Sequence, residues 1–197
     1  MLTIKLNTAP TEEPVTVDEA KAQCRVDISD DDALIGSYIT VARQWAESFR
    51  RQKFITQTWE LYLDAFPGGG MLLRLPFGPV QSVSEIAYKA DGESTYTAVS
   101  SSNYVVDAIS EPARIVLATN GSWPGDALVP VNGVKITFVC GYGLATAVPE
   151  SIQQAIKLIV GHLYENREDV VIAQGISVSQ VPMAAKALLW PERVLSF

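Results

Sequence analysis

Residues 30–51 read DDDALIGSYITVARQWAESFRR, and this stretch decides the fold because it has the pattern of a long helix with one apolar face. Three aspartates stand at its start and two arginines at its end, where each charge complements the helix dipole. A helix of this kind needs partners for its apolar face. That face consists of Leu34, Ile35, Tyr38, Ile39, Ala42, Trp45 and Phe49.

Further helical patterns lie on both sides of this stretch. Upstream, Thr16-Val-Asp-Glu19 has the form of a capping box and predicts a short helix to about Cys24. Downstream, Pro149 favours a helix start, and the apolar spacing predicts a helix to about Arg167. A last short helix is predicted over residues 182–190. Because such helices are too short to be stable alone, we expect them to pack together.

From about Phe54 the apolar pattern changes to a period of two, which is typical of strands. Turn dipeptides such as Gly-Pro, Asp-Gly and Asn-Gly separate the runs. Two runs alternate clearly: Trp59, Leu61 and Leu63, and later Val134, Ile136 and Phe138. Shorter β-like runs lie near 72–75, 80–88, 104–106 and 114–117.

These patterns predict an α+β fold. A helical core is built from both chain ends, and a small antiparallel β-sandwich or barrel module is inserted between them. We assign residues 1–53 to the N-terminal helical part and residues 54–147 to the inserted β module. Residues 148–197 form the C-terminal helical part and a tail.

The composition is that of a globular protein, with 48% hydrophobic and 19% charged residues among 197. The net charge of −7, from 15 basic and 22 acidic residues, disfavours a protein that binds nucleic acid by neutralising phosphates. Cys24 and Cys140 form no C-x-x-C pair, so we predict two thiols in a reducing compartment rather than a disulfide framework or zinc site.

The sequence also predicts a location away from membranes. The opening Met1-Leu-Thr-Ile-Lys-Leu6 is too short and too polar for a signal peptide. No apolar stretch approaches the roughly 20 residues that a membrane span requires. We therefore expect the chain to be made in the cytoplasm of its cell.

No motif for catalysis or cofactor binding is found in the sequence, and neither a phosphate loop nor a G-x-S-x-G turn occurs. His162 is the single histidine, and no neighbouring nucleophile and orienting group would make it a general base. Acidic pairs such as Asp31 and Asp32 are read as helix-end charges. We predict no catalytic, cofactor or metal site and a protein that is not an enzyme.

Two groups of residues are candidates for contact with a partner. Arg50 and Arg51 lead the only basic cluster, which is either a solvated helix end or an interface. Trp190 precedes an apolar tail, and exposed apolar tails are costly unless something covers them. The tail either folds back on its own helices or contacts a partner. Its candidate interface residues are Trp190, Val194, Leu195 and Phe197.

The order of several segments resembles the head–tail connector (adaptor) family of long-tailed bacteriophages and prophages. Each segment alone is weak, and their joint order over nearly the whole chain carries the resemblance. The segments are EPVTVDEAK (13–21), DDALI (31–35), ITQTWE (55–60), LPFGPV (75–80), FVCGYG (138–143), VPESI (148–152) and HLYENRE (162–168).

The resemblance implies a structural subunit of the virion, made in the host bacterial cytoplasm and placed at the head–tail junction. Such proteins form a ring, commonly of twelve subunits, that docks below the portal protein. The ring extends the DNA channel, touches double-stranded DNA passively and receives a stopper or tail-completion protein. The resemblance also implies that the C-terminal segment, carried over only to residues 182–197, reaches toward the portal. Neither a cofactor nor a membrane is implied.

Two alternatives remain open at this point. The first is a ligand- or carbohydrate-binding β module with helical flanks, for which Trp123 and Tyr142 would have to form an exposed aromatic platform. The second is an enzyme of an unrecognised type that uses scattered carboxylates. No nucleophile–base pair in the sequence supports the second alternative.

Overall fold

The amphipathic patterns of the sequence become helices in the structure, a computed structural model that describes residues 2–68, 72–167, 182–191, 193 and 194. Within those residues the helices are α1 (Val17–Cys24), α2 (Asp32–Arg50), α3 (Glu150–Glu165) and α4 (Met183–Leu189). Single 3₁₀ turns occur at Ser101–Asn103 and Ala145–Ala147. The predicted helical segments are thus confirmed to within a few residues.

The ends of α1 and α2 show why these helices begin and end where they do. The Thr16 hydroxyl accepts from the Glu19 backbone N–H at 3.2 Å, and the Glu19 carboxylate accepts from the Thr16 backbone N–H at 2.8 Å. This confirms the capping box. Both helices end at an arginine in the left-handed conformation, Arg25 and Arg51, each with φ 57°.

The helical unit contains residues 11–55 and the described residues of 143–194. Within it α3 packs against α1, α2 and α4, and α2 also contacts α1 and α4. The apolar faces meet in a core whose members are almost inaccessible to solvent, which is the main source of stability for short helices. The helical members of that core are Ala20, Ile35, Ile39, Ala42, Ala46, Ile152, Ala155, Ile156, Ile159, Val160, Ala185 and Leu189.

The β unit contains residues 2–10 and 56–142 and holds two antiparallel sheets. One sheet has the strand order β1-β2-β8-β4-β5, and the other has the order β3-β7-β6. The strands are β1 (Leu2–Thr8), β2 (Gln57–Leu63), β3 (Leu73–Arg74), β4 (Val80–Tyr88), β5 (Thr97–Ala98), β6 (Tyr104–Asp107), β7 (Arg114–Leu117) and β8 (Val134–Cys140).

The two alternating runs of the sequence lie beside each other as β2 and β8. Leu61 pairs with Ile136 and Trp59 with Phe138, so the inward side chains of both strands share one face. Both sheets contribute to a single core, because Ile115 of β7 is buried in the same cluster as the residues of β2, β4 and β8. This is the antiparallel sandwich that the period of two predicts, and the α+β fold class is confirmed.

The first strand is a feature that the sequence analysis places differently. Residues 2–8 fall within the predicted N-terminal helical part, 1–53, whereas the structure makes them β1, an edge strand of the larger sheet. The physical reason is the alternation of Leu2, Ile4 and Leu6, of which Ile4 packs against the sandwich core. At the other boundary, Phe54 and Ile55 belong to the helical unit.

Candidate interaction surfaces

Polar groups that could form a reactive centre are not gathered in the described part of the chain. Within it, no three histidine, cysteine, aspartate or glutamate side chains lie close enough together to hold a metal ion. His162 lies in the last turn of α3, where its Nδ1 is 3.3 Å from the Asn166 side-chain nitrogen. Charged and aromatic side chains instead collect at the two ends of α2.

A buried polar network fixes the C-terminal end of α2. The Glu47 carboxylate accepts from the Phe54 backbone N–H at 3.1 Å and from Lys53 Nζ at 3.2 Å. It also lies 3.4 Å from the Arg43 guanidinium, which in turn donates to Glu13 at 2.6 Å. Burial works against the charge on Arg43, but Glu13 and Glu47 outweigh it and raise the pKa of Arg43. The network joins α2 to the segments on either side of it.

The two arginines of the predicted basic cluster differ in exposure. Arg50 is only 2% exposed, and its Nε donates to the Gln52 side chain at 2.7 Å. Its guanidinium therefore lies inside the helical unit and helps to close the turn after α2. Arg51, in contrast, is exposed at the helix end. The sequence could not separate the two because both follow the last apolar position of the helix.

Trp45, Phe49, Trp190 and Arg193 form an aromatic cluster at this end of α2. The Trp45 and Phe49 rings stack at 5.3 Å, and the Trp190 ring lies 6.3 Å from Phe49. The Arg193 guanidinium lies over Phe49 at 4.4 Å and over Trp190 at 5.5 Å. Trp190 nevertheless stays 58% exposed, so it packs on its own helices and also leaves part of its ring open to solvent. Trp45, read as core, is only half-buried.

The chain after α4 returns to the end of α2. Arg193 Nε donates to the Phe49 carbonyl at 2.6 Å, and the Val194 backbone N–H donates to the Arg50 carbonyl at 3.2 Å. These bonds satisfy carbonyls that the end of a helix leaves without an internal partner. Val194 is therefore held against α2. The predicted interface residues Leu195 and Phe197 lie outside the described residues.

The N-terminal end of α2 carries carboxylates. Asp31 accepts from the Tyr164 hydroxyl at 2.6 Å and from Arg167 at 2.7 Å, and these bonds lower the pKa of Asp31. Asp32 forms an ion pair with Lys21 at 2.7 Å. Both predicted acidic residues thus brace neighbouring helices. The loop before them, residues 27–30, is exposed and is called the acidic loop.

In the β unit, the predicted aromatic platform is not formed at Trp123. Its ring stacks on Phe66 at 4.7 Å and lies 6.4 Å from Tyr104, so one face is covered by the sandwich. Aromatic contacts of this kind stabilise a core and leave little surface for stacking on a sugar. The β unit therefore gives no support to carbohydrate binding at that position.

Asp107 holds a loop that the sequence analysis missed. Its carboxylate accepts from the backbone N–H groups of Ile109 and Ser110, from the Ser110 hydroxyl and from Arg114. The loop presents Ile109, which is 98% exposed, between β6 and β7. The available signal was the Asp-x-x-Ser spacing, which favours a side-chain-capped turn.

None of the helices in the described residues has the length and apolarity to cross a membrane.

Comparison with known proteins adds a family and a fold. A family model described as phage gp6-like head-tail connector protein matches residues 14–112. No curated protein sequence matches the chain. Among solved structures, a chain in the neck of an empty GTA particle, computed with C6 symmetry, is 23% identical with a TM-score of 0.77, and the match covers 99% of this chain and 97% of that one.

Two further solved structures share the fold over the same fractions, 99% of this chain and 97% of theirs. A chain in the virion of a native gene transfer agent (GTA) particle is 22% identical with a TM-score of 0.79. A chain in the neck of a native GTA particle, computed with C12 symmetry, is 23% identical with a TM-score of 0.74. The shared fold therefore includes both units of this chain.

Proposed function

Because the chain belongs to the phage gp6-like head–tail connector family, we propose that its copies form a ring below the portal of a phage-like particle. Membership of this family makes it a structural connector subunit. The proposed ring contains twelve subunits in the particle, extends the DNA channel and links the capsid to the tail. The chain is then a component of the particle neck that is made in the host bacterial cytoplasm.

The observation that carries the proposal is the family match over residues 14–112, which includes α1, α2 and most of the β unit. The ring is supported by the fold it shares with chains from necks computed with C6 and C12 symmetry. A C12 ring also contains sixfold symmetry, so both descriptions agree with twelve copies. Because each subunit contact is repeated around a closed ring, a modest interface is sufficient.

The charge of the chain supports a passive role toward DNA. A net charge of −7 gives no general attraction for phosphate. A channel built from such subunits lets duplex DNA pass without holding it. The same composition argues against a connector that grips DNA by itself.

Portal contact through residues 182–197 stays a prediction. Within that segment α4 packs against α2 and α3, so its buried residues Ala185 and Leu189 hold the helical unit together. Of α4 itself, Met183–Leu189, the exposed side is open to another protein. Contact with a stopper or tail-completion protein is likewise proposed from the family alone.

A reconstitution experiment tests the proposal. Purified chain, alone and mixed with the portal protein from the same genome, is examined by native mass spectrometry and electron microscopy. We expect rings, with twelve subunits when the portal is present. Chains that stay monomeric at all concentrations and never join the portal would contradict the proposal.

The alternative of a carbohydrate-binding β module has no observation in its favour, because Trp123 is packed on Phe66. A family of structural connectors also implies a role without catalysis. We therefore propose no enzymatic activity and no cofactor.

A further inference from the structure

The two ends of α2 differ in chemistry and lie far apart. α2 has 19 residues, which corresponds to about 28 Å at 1.5 Å per residue. The acidic loop precedes its first turn, and the aromatic cluster surrounds its last turn. Since both features belong to the helical unit, their separation is fixed by α2 itself.

The acidic end combines negative charge with one exposed apolar side chain. Ile28 is 60% exposed, and it stands between the exposed Asp27 and Asp30. The ion pair with Asp32 raises the pKa of Lys21, and the nearby Asp27 adds to that effect. Carboxylates outnumber bases in residues 18–32, even when Arg167, the ion-pair partner that follows α3, is counted with the bases. The carboxylates are Asp18, Glu19, Asp27, Asp30, Asp31 and Asp32, and the bases are Lys21, Arg25 and Arg167.

The opposite end combines positive charge with exposed apolar and aromatic groups. Met183 is 80% exposed and lies seven residues before Trp190, so both side chains occupy one face of α4. Lys186 is exposed on the same face, and Arg193 lies against the Trp190 ring. We call these four residues the basic aromatic surface. Methionine, tryptophan and arginine are enriched in protein interfaces.

These two surfaces complement each other but cannot meet within one chain, because α2 separates them. We propose that the acidic loop of one copy docks on the basic aromatic surface of the next copy, with Ile28 against Met183 and Trp190. This inference rests on the proposed ring, and it names the contact that closes it. A contact between two different surfaces is heterologous, and repeated copies form a ring when the rotation between neighbours closes.

The charges give the contact its direction. In the proposed contact, Asp27 and Asp30 approach Lys186 and Arg193. A contact between two acidic loops, or between two basic aromatic surfaces, would bring like charges together and is repulsive. Every copy must therefore point the same way around the ring. The proposal assigns the exposed side of α4 to the neighbouring copy, so the portal contact proposed for residues 182–197 is then limited to the part of that segment after α4.

Charge reversal tests the contact without touching buried residues. The first variant carries Asp27→Lys and Asp30→Lys, and the second carries Lys186→Glu and Ala187→Glu, all at exposed positions. The control variant carries Asp91→Lys and Glu93→Lys on an exposed loop of the β unit. Its change in net charge equals that of the first variant. Circular dichroism verifies that each variant is folded.

Assembly is measured by native mass spectrometry and sedimentation. The portal protein is added to every sample if the unmodified chain forms rings only in its presence. We expect either variant alone to assemble about tenfold more weakly or worse, and the control to assemble normally. An equal mixture of the two variants should recover rings, because each reversed surface then faces a complementary one. Binding of the portal by each variant should persist. An Ile28→Ser variant should weaken assembly without any change of charge.

The possible failures are distinguishable. If the unmodified chain forms no ring with or without the portal, the proposed function and this contact are both overturned. If the unmodified chain forms rings and either variant alone does so equally well, only the contact is overturned. The proposed contact would also be overturned if the mixture of the two variants formed no rings. The same holds if either variant still formed rings but no longer bound the portal protein.

Discussion

Glu47 illustrates how one buried carboxylate can determine the path of the chain. It accepts the backbone N–H of Phe54 and faces both Lys53 and Arg43 in the interior of the helical unit. A charge in such a place is tolerated only because each partner compensates for lost hydration. The turn after α2 is therefore fixed by a side chain within α2.

We expect Glu47→Ala to lower the free energy of unfolding by about 3–5 kcal/mol, because it leaves Arg43 and the Phe54 N–H buried without this partner. Urea denaturation of the two proteins measures the difference. Glu93→Ala, at an exposed position, should change stability by less than about 0.5 kcal/mol. Equal stabilities for Glu47→Ala and the unmodified chain would show that the network contributes nothing.

Asp107 should make the β6–β7 loop sensitive to acid. Hydrogen bonds from Ser110, followed by Arg114, hold the pKa of Asp107 well below its usual range. A carboxylate whose pKa is depressed in the folded state stabilises the fold at pH values above its unfolded-state pKa of about 4. This stabilisation is lost as the pH falls toward the folded-state pKa. Unfolding curves should thus show Asp107→Asn less stable than the unmodified chain at pH 6.

This difference should shrink progressively below about pH 4. Asp91→Asn, at an exposed position, serves as the control and should match the unmodified chain throughout. A stability gap for Asp107→Asn that stays constant with pH would refute the role given to its carboxylate.

The sequence was informative at the residue scale only where the signal was local. The capping box of Thr16 and Glu19 was predicted because both partners lie within one turn. The burial of Arg50 was missed because it depends on Gln52 and on the chain returning after α4. The acidic loop was missed as a surface because nothing local distinguishes Ile28 from a core residue.

Among the elements, the helices and the paired strands β2 and β8 were predictable because each has a strong internal period. β1 was not predicted, since its partner β2 lies about 50 residues later in the chain and seven residues of alternation are a weak signal. β3 falls within the run predicted near 72–75, whereas β5, of two residues, is defined only by its neighbour β4.

Gly121 marks a close approach between two loops of the β unit. A side-chain carbon at this position would clash with the backbone carbonyl of Asn103. Gly121→Ala should therefore cost about 1–3 kcal/mol in the free energy of unfolding. Gly125→Ala is the matched control, because no atom lies within 4 Å of the added carbon there. Thermal or urea unfolding that ranks the two variants equally would contradict this account.

At the scale of the whole molecule, the division into helical and β units follows from the switch of period near residue 54 and its return near 148. The connector function could be inferred from the order of segments, and the family match over residues 14–112 confirms it. What the sequence could not provide is which surfaces the fold exposes. Trp190 was a candidate for contact from the sequence, whereas Met183 became one only once α4 was seen packed on α2 and α3.

The charge of the whole chain leads to a prediction for DNA. Because acidic residues exceed basic ones by seven, we expect binding to a short duplex to be weaker than about 10⁻⁴ M at physiological salt. Fluorescence anisotropy across a salt series measures this affinity. Tight binding that falls steeply with salt would reveal a basic face and would argue against a passive channel.

The helical unit also has a consequence for how the protein is made. α1 and α2 emerge from the ribosome long before α3 and α4, with the β unit translated between them. Since the surface around Trp190 requires both early and late helices, a nascent or prematurely terminated chain does not yet carry both complementary ends. Under the proposed contact, such a product could dock on one neighbour through its acidic loop but would offer no surface to the next copy, so we expect truncated chains to prevent ring closure.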